Sequence, residues 1–163
     1  MARLIRLRAA PQITTRMKIV SCVLPSGNAL WTRNSTDVEL YIPNNSNYLT
    51  SWQPTISSYP GTVTRGTKNY NIFGTQFNGL SQAAMYGDDY QGATNYPLIR
   101  LQNNATGHVS YCRTHNHSTM AVATGSATVS TQFDIPANAE AGASKLFVVA
   151  NGIPSNSVNV TVQ

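Results

Sequence analysis

The chain has 163 residues, of which 41% are hydrophobic and only 10% are charged, against roughly 25% in an ordinary soluble domain. The formal charge of +5 is concentrated before residue 19, and the remainder carries six basic and six acidic residues. A phosphate-binding surface needs cations clustered on one face, and the electrically neutral remainder of the chain offers no such cluster. Nucleic acid is therefore not expected as a partner. No run approaches the ~20 apolar residues that cross a bilayer, so no membrane span is expected.

Residues 1–17 are predicted to be a basic leader or an unstructured arm. Their arginines interrupt the apolar residues, so the apolar run of about 7–15 residues found in a signal peptide does not form. A cationic amphipathic arm on a membrane surface and a second start at Met17 remain alternatives.

Residues 18–50 are predicted to form a three-stranded β-meander. Its strands span residues 18–24, 29–33 and 38–42, and turns rich in Pro, Gly, Asn and Asp separate them. Three strands alone are marginally stable, so this sheet must pack on something. Its exposed strand edges make a homodimer a further expectation.

Residues 51–163 show the pattern of a β-sandwich, with short β runs separated by turn signals at a spacing of about 8–12 residues. No helical period is sustained. The low-charge, hydroxyl-rich composition is typical of exported sandwiches, so an extracellular or periplasmic location is expected. The predicted strands span residues 55–58, 62–64, 70–73, 98–102, 109–114, 128–133, 145–150 and 158–162.

Cys22 and Cys112 each lie in a β-branched or aromatic run. In an exported protein they could form a disulfide that closes a long loop. Two separate buried core cysteines are the slightly favoured alternative. Neither lies in a CxxC motif, which argues against thiol redox chemistry.

Several segments carry a resemblance to a known family. Residues 54–57 (PTIS) and 74–79 (GTQFNG) resemble the entry of an early-set immunoglobulin or TIG-like domain. Residues 111–120 (YCRTHNHSTM) resemble the histidine-bearing strand and loop of the C-terminal domain of galactose-oxidase-like proteins. Residues 146–155 (LFVVANGIPS) are similar to the last hairpin of that domain. The resemblance implies an all-β fold, an immunoglobulin-like (early-set) β-sandwich preceded by the meander.

The meander adds to this resemblance, because residues 24–30 (LPSGNAL) look like the turn between inner strands of a kelch propeller blade. Residues 18–50 would then be the remnant of the last blade. In galactose-oxidase-like enzymes copper is held by two histidines and two tyrosines, and the match to the C-terminal histidine is His115. The other ligands belong to the propeller, and the loop departs from the family pattern at His117 and Met120. Copper radical oxidation by this chain alone is therefore not expected.

All three histidines, His108, His115 and His117, lie within ten residues. In a strand, His115 and His117 would share one face, which suits chelation of one metal. A catalytic zinc site usually needs a third protein ligand, which Asp88, Asp89 or His108 could supply. The predicted metal ligands are His115, His117 and Asp88, and the metal would be calcium, zinc or copper. The alternative is a pair of loop histidines bonded to the backbone; no organic cofactor is predicted.

Asp88 and Asp89 are adjacent acids in a long irregular stretch, residues 78–95. Adjacent carboxylates repel, so they stay in water or bind a hard cation such as calcium. Beside a metal, either could act as a general base that activates water. With His115 and His117 they are the candidate catalytic residues of a small hydrolase for esters or lactones.

Aromatic side chains flank the turns and the long stretch. Exposed rings stack on sugars and other flat apolar faces, whereas buried rings would fill the seam between two sheets. Tyr86 and Tyr90, together with Arg113, are the predicted binding residues for a small molecule or a carbohydrate. The flanking aromatic residues are Tyr48, Trp52, Tyr59, Tyr86, Tyr90 and Tyr96.

Two functions from different classes follow from these patterns. The first is an accessory or binding β-sandwich domain. The second is a small metal-dependent hydrolase. The fold alone does not choose between them, because sandwiches carry many functions.

Overall fold

A computed structural model of the chain describes residues 3–6, 20–32, 38–43, 48–81 and 96–163. These residues form strands, turns and one short 3-10 helix at Thr50–Trp52, which confirms the predicted all-β class. Within the described ranges, no helix has the length and apolar character needed to cross a bilayer.

The first sheet is small and antiparallel. Its strand order is β1-β4-β3-β2, so the three strands β2, β3 and β4 pair consecutively as the predicted meander. Its strands are β1 (Arg3–Arg6), β2 (Val20–Val23), β3 (Ala29–Thr32) and β4 (Val38–Ile42).

Strand β1 lies in the segment predicted to be a leader or an unstructured arm. It pairs along the whole of β4, from Arg3 opposite Ile42 to Arg6 opposite Glu39. Without this strand, β4 would present a row of unpaired backbone groups at the sheet edge. Part of the basic segment therefore has a structural role that its arginine-rich sequence did not indicate.

The second sheet is large and curls back on itself. Its order is β5-β7-β10-β9-β8-β11-β13-β6, and β12 pairs with β11. The strands are β5 (Thr55–Ser58), β6 (Thr62–Val63), β7 (Tyr70–Thr75), β8 (Leu98–Asn103), β9 (Val109–His115), β10 (Val129–Asp134), β11 (Gly142–Ala150), β12 (Ile153–Pro154) and β13 (Val158–Val162). Residues 59–61 alone join the two end strands β5 and β6, so the ends of the sheet meet.

Strand β9 contributes to two facing layers. Its first half pairs with β8, where Cys112 lies opposite Ile99, and its second half pairs with β10, where His115 lies opposite Gln132. One layer thus contains β5, β7 and β10, and the other contains β8, β11, β13 and β6. This curled, two-layered arrangement is consistent with the predicted β-sandwich; its immunoglobulin-like subtype stays a prediction.

The space between the layers is filled by the inward side chains of alternating strands. In β10, Val129, Thr131 and Phe133 are buried, and the residues between them are half-buried. The core is completed by large side chains from the other strands and from a loop. These include Val63, Ile72, Phe77, Ile99, Leu146, Val148 and Val160.

The two cysteines have different surroundings. Cys112 is buried in the core, and burial raises the pKa of its thiol to about 12, with Asp134 adding to the rise. Cys22 is exposed on β2. The expectation of a buried core cysteine holds for Cys112 and is wrong for Cys22, because the Cys22 side chain lies on the small sheet, outside the core between the layers. Both thiols are free, so the alternative disulfide is not formed.

The small sheet packs on the sandwich through the turn between β2 and β3. In this turn the Gly27 amide donates to the Leu24 carbonyl at 2.9 Å, and Gly27 has a φ of +82°. Gly152, in the turn between β11 and β12, approaches the same turn closely. A Cβ atom at Gly152 would lie 2.9 Å from the Gly27 nitrogen, so only glycine permits this backbone contact.

Candidate functional site

Two groups of side chains in the described residues have the chemistry of a site. The first, which we term the imidazole corner, consists of His115, His117, Thr131 and Asp134. It lies where β9 ends beside β10. His115 is the last residue of β9, and Asn116 has a φ of +50°, which ends the strand. The same-face geometry expected for a strand running through His115 and His117 is therefore wrong, since His117 lies beyond the strand.

The His115 ring bonds to Asp134 across the two strands. Its Nε2 atom lies 2.9 Å from Asp134 Oδ1, and the two side chains are 21% and 17% exposed. The Asn69 amide donates to the same carboxylate oxygen at 3.0 Å. The bond from His115, and to a smaller extent that from Asn69, lowers the pKa of Asp134 although burial acts in the opposite direction. The carboxylate is thus ionised and engaged at neutral pH.

The His117 ring bonds to the hydroxyl of Thr131, with 2.8 Å between Nδ1 and Oγ1. The same hydroxyl donates to the His115 carbonyl at 3.1 Å. The hydroxyl carries one hydrogen, and its oxygen can also accept, so the Thr131 side chain joins the His117 ring to the backbone of β9. Burial, and then the neighbouring His115, lower the pKa of His117. The ring is therefore neutral at pH 7.

Of the other residues weighed for a metal or catalytic site, the structure describes His108 alone, and His108 does not lie at this corner. His108 precedes the opposite end of β9, roughly 20 Å away along the strand at about 3.3 Å per residue, and lies 3.4 Å from Glu140. Asp88 and Asp89 lie outside the described residues. Within the described part of the chain, no group of three or more His, Cys, Asp or Glu side chains is placed to hold a metal.

Of the three predicted binding residues, Arg113 is the one that the structure describes. Arg113 is exposed on β9, opposite Asp134 in the strand register. Tyr86 and Tyr90 lie outside the described residues. Tyr96 is exposed, and its ring centroid lies 6.4 Å from that of His117. Sequence reasoning missed Asp134, because only the strand register places it beside His115.

The imidazole corner leads to a prediction on acid stability. As the pH falls below the ordinary histidine value of about 6.5, we expect stability to fall because His117, with its lowered pKa, resists protonation in the folded state. Below the ordinary aspartate value of about 3.9, a second loss should follow as protonation removes the Asp134 bond to His115. Urea unfolding at intervals between pH 3 and 8 measures both steps.

Asp134→Asn should flatten the second step while leaving the first. The matched control is Glu140→Gln, which removes a carboxylate facing His108 at the other end of β9. Both variants change the net charge equally, so the comparison separates the Asp134 bond from general charge effects. Identical pH profiles for the two variants would contradict the assignment.

The second group lines a cleft of about 450 Å³, which we term the Trp52 cleft. It lies between the β2–β3 turn, the 3-10 helix and strands β8 and β12. The β2–β3 turn and β8 contribute polar side chains, the 3-10 helix contributes an aromatic one, and β12 contributes Ile153 and Pro154. The lining includes Asn28, Tyr48, Trp52, Arg100, Asn151 and Pro154.

Local hydrogen bonds fix the aromatic wall of this cleft. The 3-10 helix is closed by the Trp52 amide, which donates to the Leu49 carbonyl at 2.8 Å. The Gln53 side-chain amide donates to the Pro154 carbonyl at 3.0 Å and ties the helix to β12. The following residue, Pro54, is buried. The indole of Trp52 is thereby held at the rim, where it remains 41% exposed.

Arg100 forms the floor of the cleft. It alternates with the buried residues Ile99 and Leu101 on β8, so its side chain lies on the outer face of the sheet. Its guanidinium carbon sits 4.0 Å from the ring centroid of Phe147, its cross-strand partner on β11. Arg100 Nε is buried and has no hydrogen-bond partner in the described part of the chain.

The sequence contained part of the signal for this cleft. Tyr48 and Trp52 belong to the predicted aromatic set, although Tyr86 and Tyr90 were preferred as binding residues. The available clue to Arg100 was a single cation in the apolar run LIRL of residues 98–101. The meeting of these segments depends on contacts between distant parts of the chain, which local patterns do not predict.

Comparisons of the sequence with models of known protein families and with curated proteins found no match. The resemblance to the C-terminal domain of galactose-oxidase-like proteins therefore stays a prediction from the quoted segments.

Proposed function

We propose that this chain is a non-catalytic accessory β-sandwich module that binds carbohydrate in the Trp52 cleft. The observation that carries the proposal is an exposed indole at the rim of a cleft of about 450 Å³. Clefts that bind small ligands have volumes of roughly 300–1,000 Å³. The cleft is therefore large enough for one or two sugar rings.

The lining has the mixed character that a sugar requires. The apolar C–H face of a sugar ring packs against an aromatic ring, and its hydroxyls need donors and acceptors nearby. Trp52 and Tyr48 supply the rings, whereas Ser26 and Asn28 in the β2–β3 turn supply polar groups. A purely apolar ligand would leave these polar groups without partners, which costs free energy.

The bonds within the imidazole corner favour binding over hydrolysis. His115 Nε2 bonds to Asp134, and His117 Nδ1 bonds to Thr131. These internal partners support a role in joining β9 to β10. The alternative hydrolase would have to use the second nitrogen of each ring, with a third ligand such as Asp88.

The test of this proposal is the variant Trp52→Ala. We expect its dissociation constant for a bound oligosaccharide to rise at least tenfold, which corresponds to about 1.4 kcal/mol. The measurement is isothermal titration calorimetry with oligosaccharides selected from a glycan panel by the unaltered protein. Because Trp52 is exposed, its urea unfolding midpoint should stay close to that of the parent.

The matched control is Tyr59→Ala, since Tyr59 is 38% exposed and does not line the cleft. This variant should bind as the parent does. Full binding by Trp52→Ala, or no binding of any glycan by the parent, would overturn the proposal. Chelator-sensitive turnover of esters or lactones that disappears in the His115→Ala, His117→Ala double variant would support the hydrolase instead.

A further inference from the structure

We infer that the Trp52 cleft selects sugars that carry a carboxylate, such as uronic acid residues, and that Arg100 binds this carboxylate. The inference rests on the proposed function and deepens it by naming the chemical class of the ligand. It is carried by the charge of the cleft and by the fixed position of the Arg100 guanidinium.

The charge of the cleft is one-sided. Arg100 is the one charged residue that lines it among the described residues, and no carboxylate does. The half-buried carboxylate of Asp134 bonds to His115, and that of Glu140 lies beside His108 and Thr106. In the described part of the chain, Arg100 has no ion-pair partner. An anionic group on the ligand would complement this charge.

Arg100 is held in place before a ligand arrives. Its guanidinium stacks on Phe147 at 4.0 Å, and such contact fixes the plane of the guanidinium. Because Nε is buried, the terminal N–H groups of the guanidinium are the donors that a ligand in the cleft would meet. A carboxylate can accept from two parallel N–H groups of a guanidinium, and this geometry is more specific than a point-charge contact.

The number and shape of the charges favour a carboxylate over a phosphate. A carboxylate carries one negative charge and is planar, which matches a single planar guanidinium. A phosphate monoester approaches two negative charges at pH 7, and the cleft offers one cation. The aromatic rings beside Arg100 then receive the sugar ring to which the carboxylate is attached.

The experiment compares tetragalacturonate with its fully methyl-esterified form, which keeps the rings and removes the charges. We expect the unaltered protein to bind the acid at least tenfold more tightly in calorimetry at pH 7. Arg100→Gln should lose this preference while retaining the weaker binding of the ester. Arg113→Gln is the matched control, because Arg113 is exposed on β9 and does not line the cleft.

The preference should also shrink as salt is added, because an accessible ion pair is screened. Trp52→Ala should weaken the binding of both ligands, which separates the stacking contact from the charge contact. Three results would each overturn the inference and leave the proposed function standing. They are equal binding of acid and ester by the parent, a preference that survives in Arg100→Gln, and tighter binding of a sulfated galactan than of the acid. No binding of any sugar would overturn both. Arg100→Lys is the control for a folding defect in Arg100→Gln. It keeps the positive charge and should retain part of the preference for the acid over the ester.

Discussion

Replacing Phe133 with alanine should destabilise the sandwich by about 3–5 kcal/mol. Phe133 lies on β10, is completely buried, and packs against Tyr70 with 5.7 Å between the ring centroids. Truncation removes the apolar contacts of the ring and leaves a cavity between the two layers. The layers are packed too closely to move together and fill this cavity. This loss is a large fraction of the 5–15 kcal/mol that is typical of a folded domain. Urea unfolding followed by circular dichroism measures it, and the midpoint of thermal unfolding should fall by roughly 10 °C.

The matched control for this variant is Phe73→Ala. Phe73 lies on the neighbouring strand β7, opposite Ser130, but its ring is 39% exposed. The chemical change is the same, but Phe73 is only partly buried and its removal leaves no closed cavity, so we expect a smaller cost of roughly 1–2 kcal/mol. Similar costs for the two variants would contradict the assignment of Phe133 to the core between the layers.

Local patterns were sufficient for many of the strands. Residues 158–162 alternate apolar and polar side chains, and strand β13 has those bounds. The continuously apolar run at 146–150 lies within β11, which pairs with β8 on one side and with β13 and β12 on the other. Four of these five residues are buried and Phe147 is half-buried, whereas Lys145, just before the run, is exposed.

Other elements depend on contacts that the local sequence does not encode. Strand β12 contains only Ile153 and Pro154, and proline is not a strand-forming residue, yet both pair with the end of β11. Strand β1 exists because it covers the edge of β4. In both cases the tertiary partner outweighs the propensity of the segment.

The candidate site shows the same division. The sequence placed His115 and His117 close together and included Trp52 among the aromatic residues that flank the turns, although the predicted binding residues were Tyr86, Tyr90 and Arg113. It did not pair His115 with Asp134, because that pairing depends on the register of β9 against β10. Nor did it place Arg100 and Trp52 in one cleft, since that requires the 3-10 helix to be tied to β12 through Gln53 and Pro154.

The second large effect is expected for Gly152→Ala, which should displace the β2–β3 turn and weaken ligand binding at least tenfold. Gly152 has a φ of +78°, and its added Cβ would meet the backbone of Gly27 and lie 3.2 Å from the Leu24 carbonyl. Backbone atoms in a hydrogen-bonded turn cannot rotate away as a flexible side chain can. Overpacking of this kind costs about 1–3 kcal/mol, in addition to about 1–2 kcal/mol for a left-handed alanine.

Gly107→Ala separates these two contributions. Gly107 has a φ of +75°, almost the same as that of Gly152, but an added Cβ there would meet no atom within 4 Å. The control therefore carries the backbone strain without the clash, and it should bind the oligosaccharide as the parent does. Hydrogen exchange of residues 24–28 should accelerate only in Gly152→Ala, because the turn forms one wall of the Trp52 cleft. Equal exchange and equal affinity in the two variants would mean that the small sheet is not held on the sandwich by this glycine contact, and that the cleft does not depend on it.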